Sequence, residues 1–206
     1  MNRFFIGGAL LLTCSFMAAC SSAPEQESLA PTVKTEVISQ DISAWLNEKE
    51  PLLRESIKDS PFTLHKQGSA WVVTAPAQLS FNADRPDLLL PAVLGPIARV
   101  AKLLEADADS SVLILGHTAI SKDDKGNQKL STDRARSVAS IFRLSGLQSG
   151  RMTHLGMGSS HVLAQTVNGA HNHRVEIIVM PSVDVQGVMA LYRPAYMRQL
   201  ALIQTK

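Results

Sequence analysis

The chain has 206 residues, of which 45% are hydrophobic, and 20 Lys and Arg stand against 18 Asp and Glu. That length suits one domain plus a tether, and a formal net charge of +2 leaves no electrostatic footprint for nucleic acid. Both cysteines, Cys14 and Cys20, lie at the N-terminal end, so the rest of the chain has no thiol for a disulfide or a cysteine metal site.

Asn2 and Arg3 make a short basic start, and an apolar stretch runs from Phe4 to Phe16. Met17-Ala18-Ala19-Cys20 then closes the segment with small residues before a cysteine. A basic end, an apolar run of about 13 residues and a small-residue exit are the pattern of a secretory signal. The run is short of the about 20 residues that a membrane-spanning helix needs. The closing tetrapeptide resembles a lipobox, with Met17 where Leu is usual. An ordinary cut after an Ala-x-Ala site is the alternative. The resemblance implies cleavage before Cys20 and lipidation of Cys20 by acyl chains such as palmitate, each buried methylene adding about 0.8 kcal/mol of anchoring. Ser21 follows Cys20 where Asp would mark retention. By resemblance to enterobacterial sorting rules, this implies the outer membrane, with the domain facing the periplasm.

Residues 20–40 are polar, contain Pro24 and Pro31 and show no apolar period, as expected of a flexible tether. A helix is expected from Asp41, its N-cap, with Ile42, Trp45, Leu46, Leu52 and Leu53 toward a core and Pro51 as an interruption. Trp71 to Ala75 and Gln78 to Phe81 read as two short strands parted by Pro76. Residues 41–75 thus form an extension ahead of the main domain. Leu88 to Leu104 has helical period, with Pro91 in the first turn and Pro96 as a kink or a start. Ser111 to Gly116 is a buried strand by composition. A polar loop from Ile120 to Gln128 precedes a helix from Thr132 to Leu144, which Ser131 caps. Met152 to Gly156 and Arg174 to Met180 complete the strands. The order β-α-β-α-β-β predicts an α+β two-layer sandwich with helices on one face of a sheet. A tail, 183–206, carries a helical pattern that Pro194 would break or kink.

Candidate chemistry is sparse. Stepping by four along the Thr132 helix from Leu130 gives Arg134, Val138 and Phe142, so Arg134 lies near the apolar stripe. A half-buried cation needs an anion or several acceptors. It is then a snorkelling or internally paired side chain, or a carboxylate-binding arginine at a pocket mouth. The stride alone favours the internal reading. His171 and His173 lack a third ligand of clear spacing for a metal site. No paired carboxylates, phosphate loop or catalytic triad is visible, so neither an enzyme nor a cofactor is expected.

Gly116-His117-Thr118-Ala119 is followed by Asn127-Gln128-Lys129-Leu130-Ser131-Thr132-Asp133-Arg134-Ala135, then Gly156-Met157-Gly158, then Asn172-His173-Arg174-Val175-Glu176. In this order the motifs resemble the OmpA-like C-terminal domain, a peptidoglycan-binding family, over roughly Gln78 to Pro181. The domain is expected to span 76–182. The resemblance implies that an Asp and an Arg grip the amino and carboxylate groups of diaminopimelate. Arg134 matches the carboxylate-binding arginine. Thr118, Asn127 and Leu130 match positions that line or shape the pocket, and Arg174 matches the second arginine of the last motif, where His173 replaces the first. Ala119 stands where the family has Asp. Loss of one charged partner from a desolvated pair costs about 2–5 kcal/mol, or tens to thousands of fold in affinity. Asp123 or Asp124 in the same loop offers a replacement carboxylate, although solvated loop charges are the simpler reading.

Two functions are therefore expected. One is an outer-membrane lipoprotein that binds peptidoglycan and links the envelope to the wall. The other is a structural subunit of an envelope-spanning secretion or pilus machine whose domain has lost wall binding through Ala119. In the second, the tail, rich in Tyr192, Arg193, Tyr196 and Met197, contacts protein partners; packing of the tail on its own domain is the equal alternative.

Overall fold

The computed structural model describes residues 30–162 and 169–204. The signal segment and Cys20 lie outside the described residues. The elements are helix α1 (Ala30–Ser56), strands β1 (Thr63–Gln67) and β2 (Ala70–Pro76), the one-turn helix α2 (Ala77–Ser80), α3 (Pro91–Ala106), β3 (Ser110–His117), α4 (Asp124–Leu144), β4 (Met152–Gly156), β5 (Arg174–Pro181) and α5 (Val185–Gln204). The sheet order is β1-β2-β5-β3-β4. Among the described strands only β3 and β4 run parallel; the other neighbours are antiparallel. The parallel pair requires a crossover, which α4 supplies.

The α+β class follows from these elements, but the layering differs from expectation. β3 and β5 are buried at every position, and alternate side chains feed two separate cores. Val112, Ile114, Val175, Ile177 and Val179 pack with α1, α3 and α4. Leu113, Leu115, Ile178 and Met180 pack with Val188, Tyr192 and Ala195 of α5. A strand with apolar residues on both faces must be covered on both. The tail is that second cover, and Pro194 sits inside its helix.

Other differences are local. Helix α1 begins at Ala30, well before Asp41, and runs through Pro51 to Ser56. A proline lacks an amide donor and forfeits one helical bond; here that loss is offset by burial of Leu46, Leu53 and Ile57. The Trp71 indole also donates to Leu46 O at 2.8 Å. Lys49, 5% exposed, reaches Asp107 at 2.9 Å. β1 was not expected from the sequence. It pairs with β2 across Gly68 and Ser69, and Gly68 adopts φ 58°, the left-handed region that a two-residue hairpin needs. The second expected strand, Gln78 to Phe81, is instead the α2 turn followed by a single bridge from Phe81 to Leu89. α4 begins at Asp124, not Thr132. Asp123 is its cap, accepting the Gly126 amide at 2.8 Å, while Ser131 is buried inside the helix.

A charged cluster lies under α5, at the end of the sheet. The Arg174 guanidinium donates to Glu176 at 2.7 Å and to the carbonyls of Asn172 and His161. His117, fully buried, lies 3.3 Å from the other Glu176 oxygen. Burial disfavours the Glu176 charge, but His117 and Arg174 outweigh it and hold the carboxyl at about 2. Burial pushes the His117 imidazole down, more than Glu176 raises it, and Arg174 and His161 add to the depression. His117 is therefore neutral in the folded state at neutral pH. Burial beside Glu176 also pushes the Tyr192 hydroxyl up to about 12.

These features set two expectations. Leu53→Ala, at the α1–core contact, lowers unfolding free energy by about 2–5 kcal/mol, read from urea melts; no change would place α1 outside the cooperative unit. The depressed His117 means that the unfolded chain takes up the proton first, so stability falls as pH drops below the ordinary histidine value. The Glu176 contribution, present above the ordinary carboxylate value, is lost as pH falls toward its folded value of about 2. The urea midpoint should thus be lower at about pH 5.5 than at about pH 7.5, and lower again below about pH 4; a midpoint independent of pH would contradict a neutral, buried His117.

Candidate functional site

Arg134 is positioned by the seat of α4 on the sheet. Gly116 of β3 and Gly156 of β4 are register partners, and α4 crosses directly over them. A Cβ on Gly116 would lie 1.9 Å from Ser131 O, and one on Gly156 2.2 Å from Thr132 Oγ1. Only glycine permits that approach. The Ser131 hydroxyl donates to Gln128 O and accepts the Gly158 amide at 3.0 Å, tying the helix to the turn after β4. Arg134 then follows one turn along α4, on the core side.

There it lines a cavity of about 280 Å³. Ala77, Phe81, Ala83 and Pro86 form the apolar wall, and Gln78, Asn82, Arg134 and His173 supply the polar groups. Arg134 is 7% exposed. Its Nε donates to Pro86 O at 2.7 Å, and its guanidinium carbon sits 5.2 Å from the Phe81 ring centroid, within cation–π range. The turn ahead of Pro86 is held by Asn82, whose side-chain oxygen accepts the amides of Asp84 and Arg85, both at 2.9 Å. Nη1 of Arg134 is buried with no hydrogen-bond partner among the described residues. Burial lowers its proton affinity, which the exposed Asp87 partly restores, yet a guanidinium stays charged in any protein setting. Among the described residues no carboxylate forms an ion pair with it. A desolvated cation that lines a cavity without an internal ion pair can bind an anion there.

His173 is the second basic group there. Its carbonyl accepts the Ala77 amide at 2.9 Å, which fixes the segment ahead of β5 against α2. Its Nδ1 is buried without a partner among the described residues. Burial, then the Arg134 charge, lower its proton affinity.

The other sequence-derived residues lie elsewhere. Arg174 alternates with Val175 and so points to the α5 face, where Glu176 and two carbonyls occupy it; it does not line the cavity. Thr118 is buried beyond β3, its amide donating to Gly158 O at 2.9 Å, and its Oγ1 has no partner among the described residues. The Asn127 side chain donates to Ala119 O at 3.3 Å and to Ser121 Oγ at 2.9 Å, which shapes the loop between β3 and α4. Leu130 is half-buried on α4. Asp123 serves as the α4 cap, and neither it nor Asp124 lines the cavity. Sequence reasoning missed Phe81, Asn82, Gln78 and the part played by His173. His173 was within reach as the one substitution in the last motif; the others stand in a stretch with no motif. A larger hollow between α1 and α3 holds Arg99, but its guanidinium is spent on Ser56 O and Lys58 O at the end of α1. No group of three metal-ligating side chains occurs among the described residues.

Residues 81–176 match the OmpA family. The chain is 32% identical to the outer-membrane lipoprotein YfiB of Pseudomonas aeruginosa over 126 residues, 60% of this chain and 73% of that one. It is 27% identical to the probable lipoprotein YiaD of Escherichia coli over 143 residues, covering 68% of this chain and 65% of that relative, so it spans a little under two thirds of that protein. Among solved structures, the cell wall anchor of the T6SS from Pseudomonas aeruginosa superposes with a TM-score of 0.53 at 26% identity, over 64% of this chain and 96% of that one. A family match from Phe81 through Glu176, with a relative of this identity and coverage, makes this chain a member of the OmpA family.

Proposed function

We propose that this protein is an envelope lipoprotein, anchored through Cys20, whose OmpA-family domain holds peptidoglycan non-covalently by a stem-peptide carboxylate at Arg134. One observation carries the reading: Arg134, 7% exposed, lines a cavity, keeps Nη1 without a partner and has no internal ion pair among the described residues. An arginine kept only for packing would be expected to find an internal carboxylate, since leaving a buried charge unpaired is costly. The relatives named as lipoproteins and the likeness to a cell wall anchor support the same reading. So does the lipobox-like Met17-Ala18-Ala19-Cys20, with the outer membrane as the destination.

A second reading has its own observation. Ala119 brings no carboxylate, Asp123 is committed to capping α4, and no acid lines the cavity among the described residues. A domain that has lost its wall ligand and serves as a subunit of an envelope machine fits that fact. The first reading is preferred because the arginine remains unneutralised.

Two experiments test it. Detergent-solubilised full chain should co-sediment with diaminopimelate-type sacculi. Arg134→Ala should weaken binding by tens to thousands of fold, from the about 2–5 kcal/mol lost with a desolvated charged partner. No binding by the wild type, with binding gained in Ala119→Asp, would favour the second reading. For the anchor, Cys20→Ser should release the protein from membranes or block its processing; unchanged membrane retention would count against lipidation.

A further inference from the structure

We infer that the cavity is a two-cation site for a carboxylate that carries no neighbouring ammonium, and that His173 is its second anion-binding residue. The inference rests on the Arg134 cavity being the ligand site and adds what kind of group the site selects. Two basic side chains, Arg134 and His173, face the same cavity of about 280 Å³. Each keeps a buried nitrogen, Nη1 and Nδ1, without a partner among the described residues. The remaining polar groups at the wall, Gln78 and Asn82, are neutral amides, and no Asp or Glu lines it among the described residues. An ammonium entering this space would meet the Arg134 charge and no carboxylate, whereas a carboxylate would meet Arg134 and, once it is protonated, His173.

The arrangement also couples binding to a proton. Without ligand, burial and the facing Arg134 keep His173 neutral near pH 7. Arg134 on α4 is the charged group facing His173, and Asp87 beside Arg134 is exposed and outside the cavity lining. An anion seated between the two basic groups reverses that balance and favours the imidazolium. Linkage then requires tighter binding as pH falls through the histidine range while the ligand carboxylate stays ionised.

The test uses the detergent-solubilised full chain and three probes: glutarate, meso-diaminopimelate and purified sacculi. Glutarate should bind about fivefold or more tightly at about pH 5.5 than at about pH 7.5, and more tightly than diaminopimelate. His173→Gln should remove the pH dependence while keeping residual Arg134-dependent binding. Glutarate binding that ignores pH, that keeps its pH dependence in His173→Gln, that is absent, or that is weaker than diaminopimelate binding would each overturn the inference. The sacculi report separately: sacculus binding lost in Arg134→Ala sustains the wall-binding reading whatever glutarate does. Glutarate binding without sacculus binding sinks that reading and leaves the two-cation site standing.

Discussion

The contact on which the rest depends is the passage of α4 over the paired glycines of β3 and β4. With Gly116 and Gly156 side by side, the helix backbone at Ser131 and Thr132 comes down onto the sheet itself. This fixes the height and rotation of α4. Phe142, Val138 and Ala135 therefore enter the core, and Arg134, on the same stripe, is drawn below the surface. A methyl group at either glycine would lift the helix and take the guanidinium away from Phe81 and the Pro86 carbonyl. The binding geometry is thus a by-product of a packing constraint, and the Asn82 turn finishes it by presenting one carbonyl at the right place.

The sheet separates two kinds of charge. On the α5 side, Arg174 is bonded to Glu176 in a closed, buried cluster that His117 adjoins. On the α3–α4 side, Arg134 and His173 are left open. Residues 173 and 174 are neighbours in sequence, yet strand alternation sends the second to the opposite face from the cavity. A closed ion cluster on one face and an open basic pair on the other divide the work: the first holds the end of β5 in register, and the second can spend its charge on a ligand.

Much of this was legible in the sequence, for reasons that differ by element. The continuous apolar runs of β3 and β5 announced buried strands, and the stride of four announced α4 and Arg134. The same runs also implied two covering layers, but the second cover lay in a tail whose proline argued against a long helix. The first turns of α4 were hidden because Asp124 to Lys129 contains no apolar residue to set a period. β1 was hidden because its side chains are almost all exposed, so it owes its place to β2 and the Gly68 turn. Gln78 to Phe81 alternates like a strand, but Leu79 is 57% exposed, and only Phe81 of the pair is a core residue. In the site, motif order led to Arg134, which lines a cavity. Arg174 was carried by the same resemblance, although its alternation with Val175 and Glu176 already placed it on the face of Glu176.

Helix α1 has a mechanical meaning as well. It enters the fold from the N-terminal side, and among its residues with described side chains the first buried are Leu46, under the Trp71 indole, and Lys49, on Asp107. Tension applied ahead of Ala30 is therefore borne first by a helix bedded in the larger core. Such a domain resists being peeled strand by strand from its N-terminus. Its yield point under force is set by how firmly α1 is seated on β2 and α3.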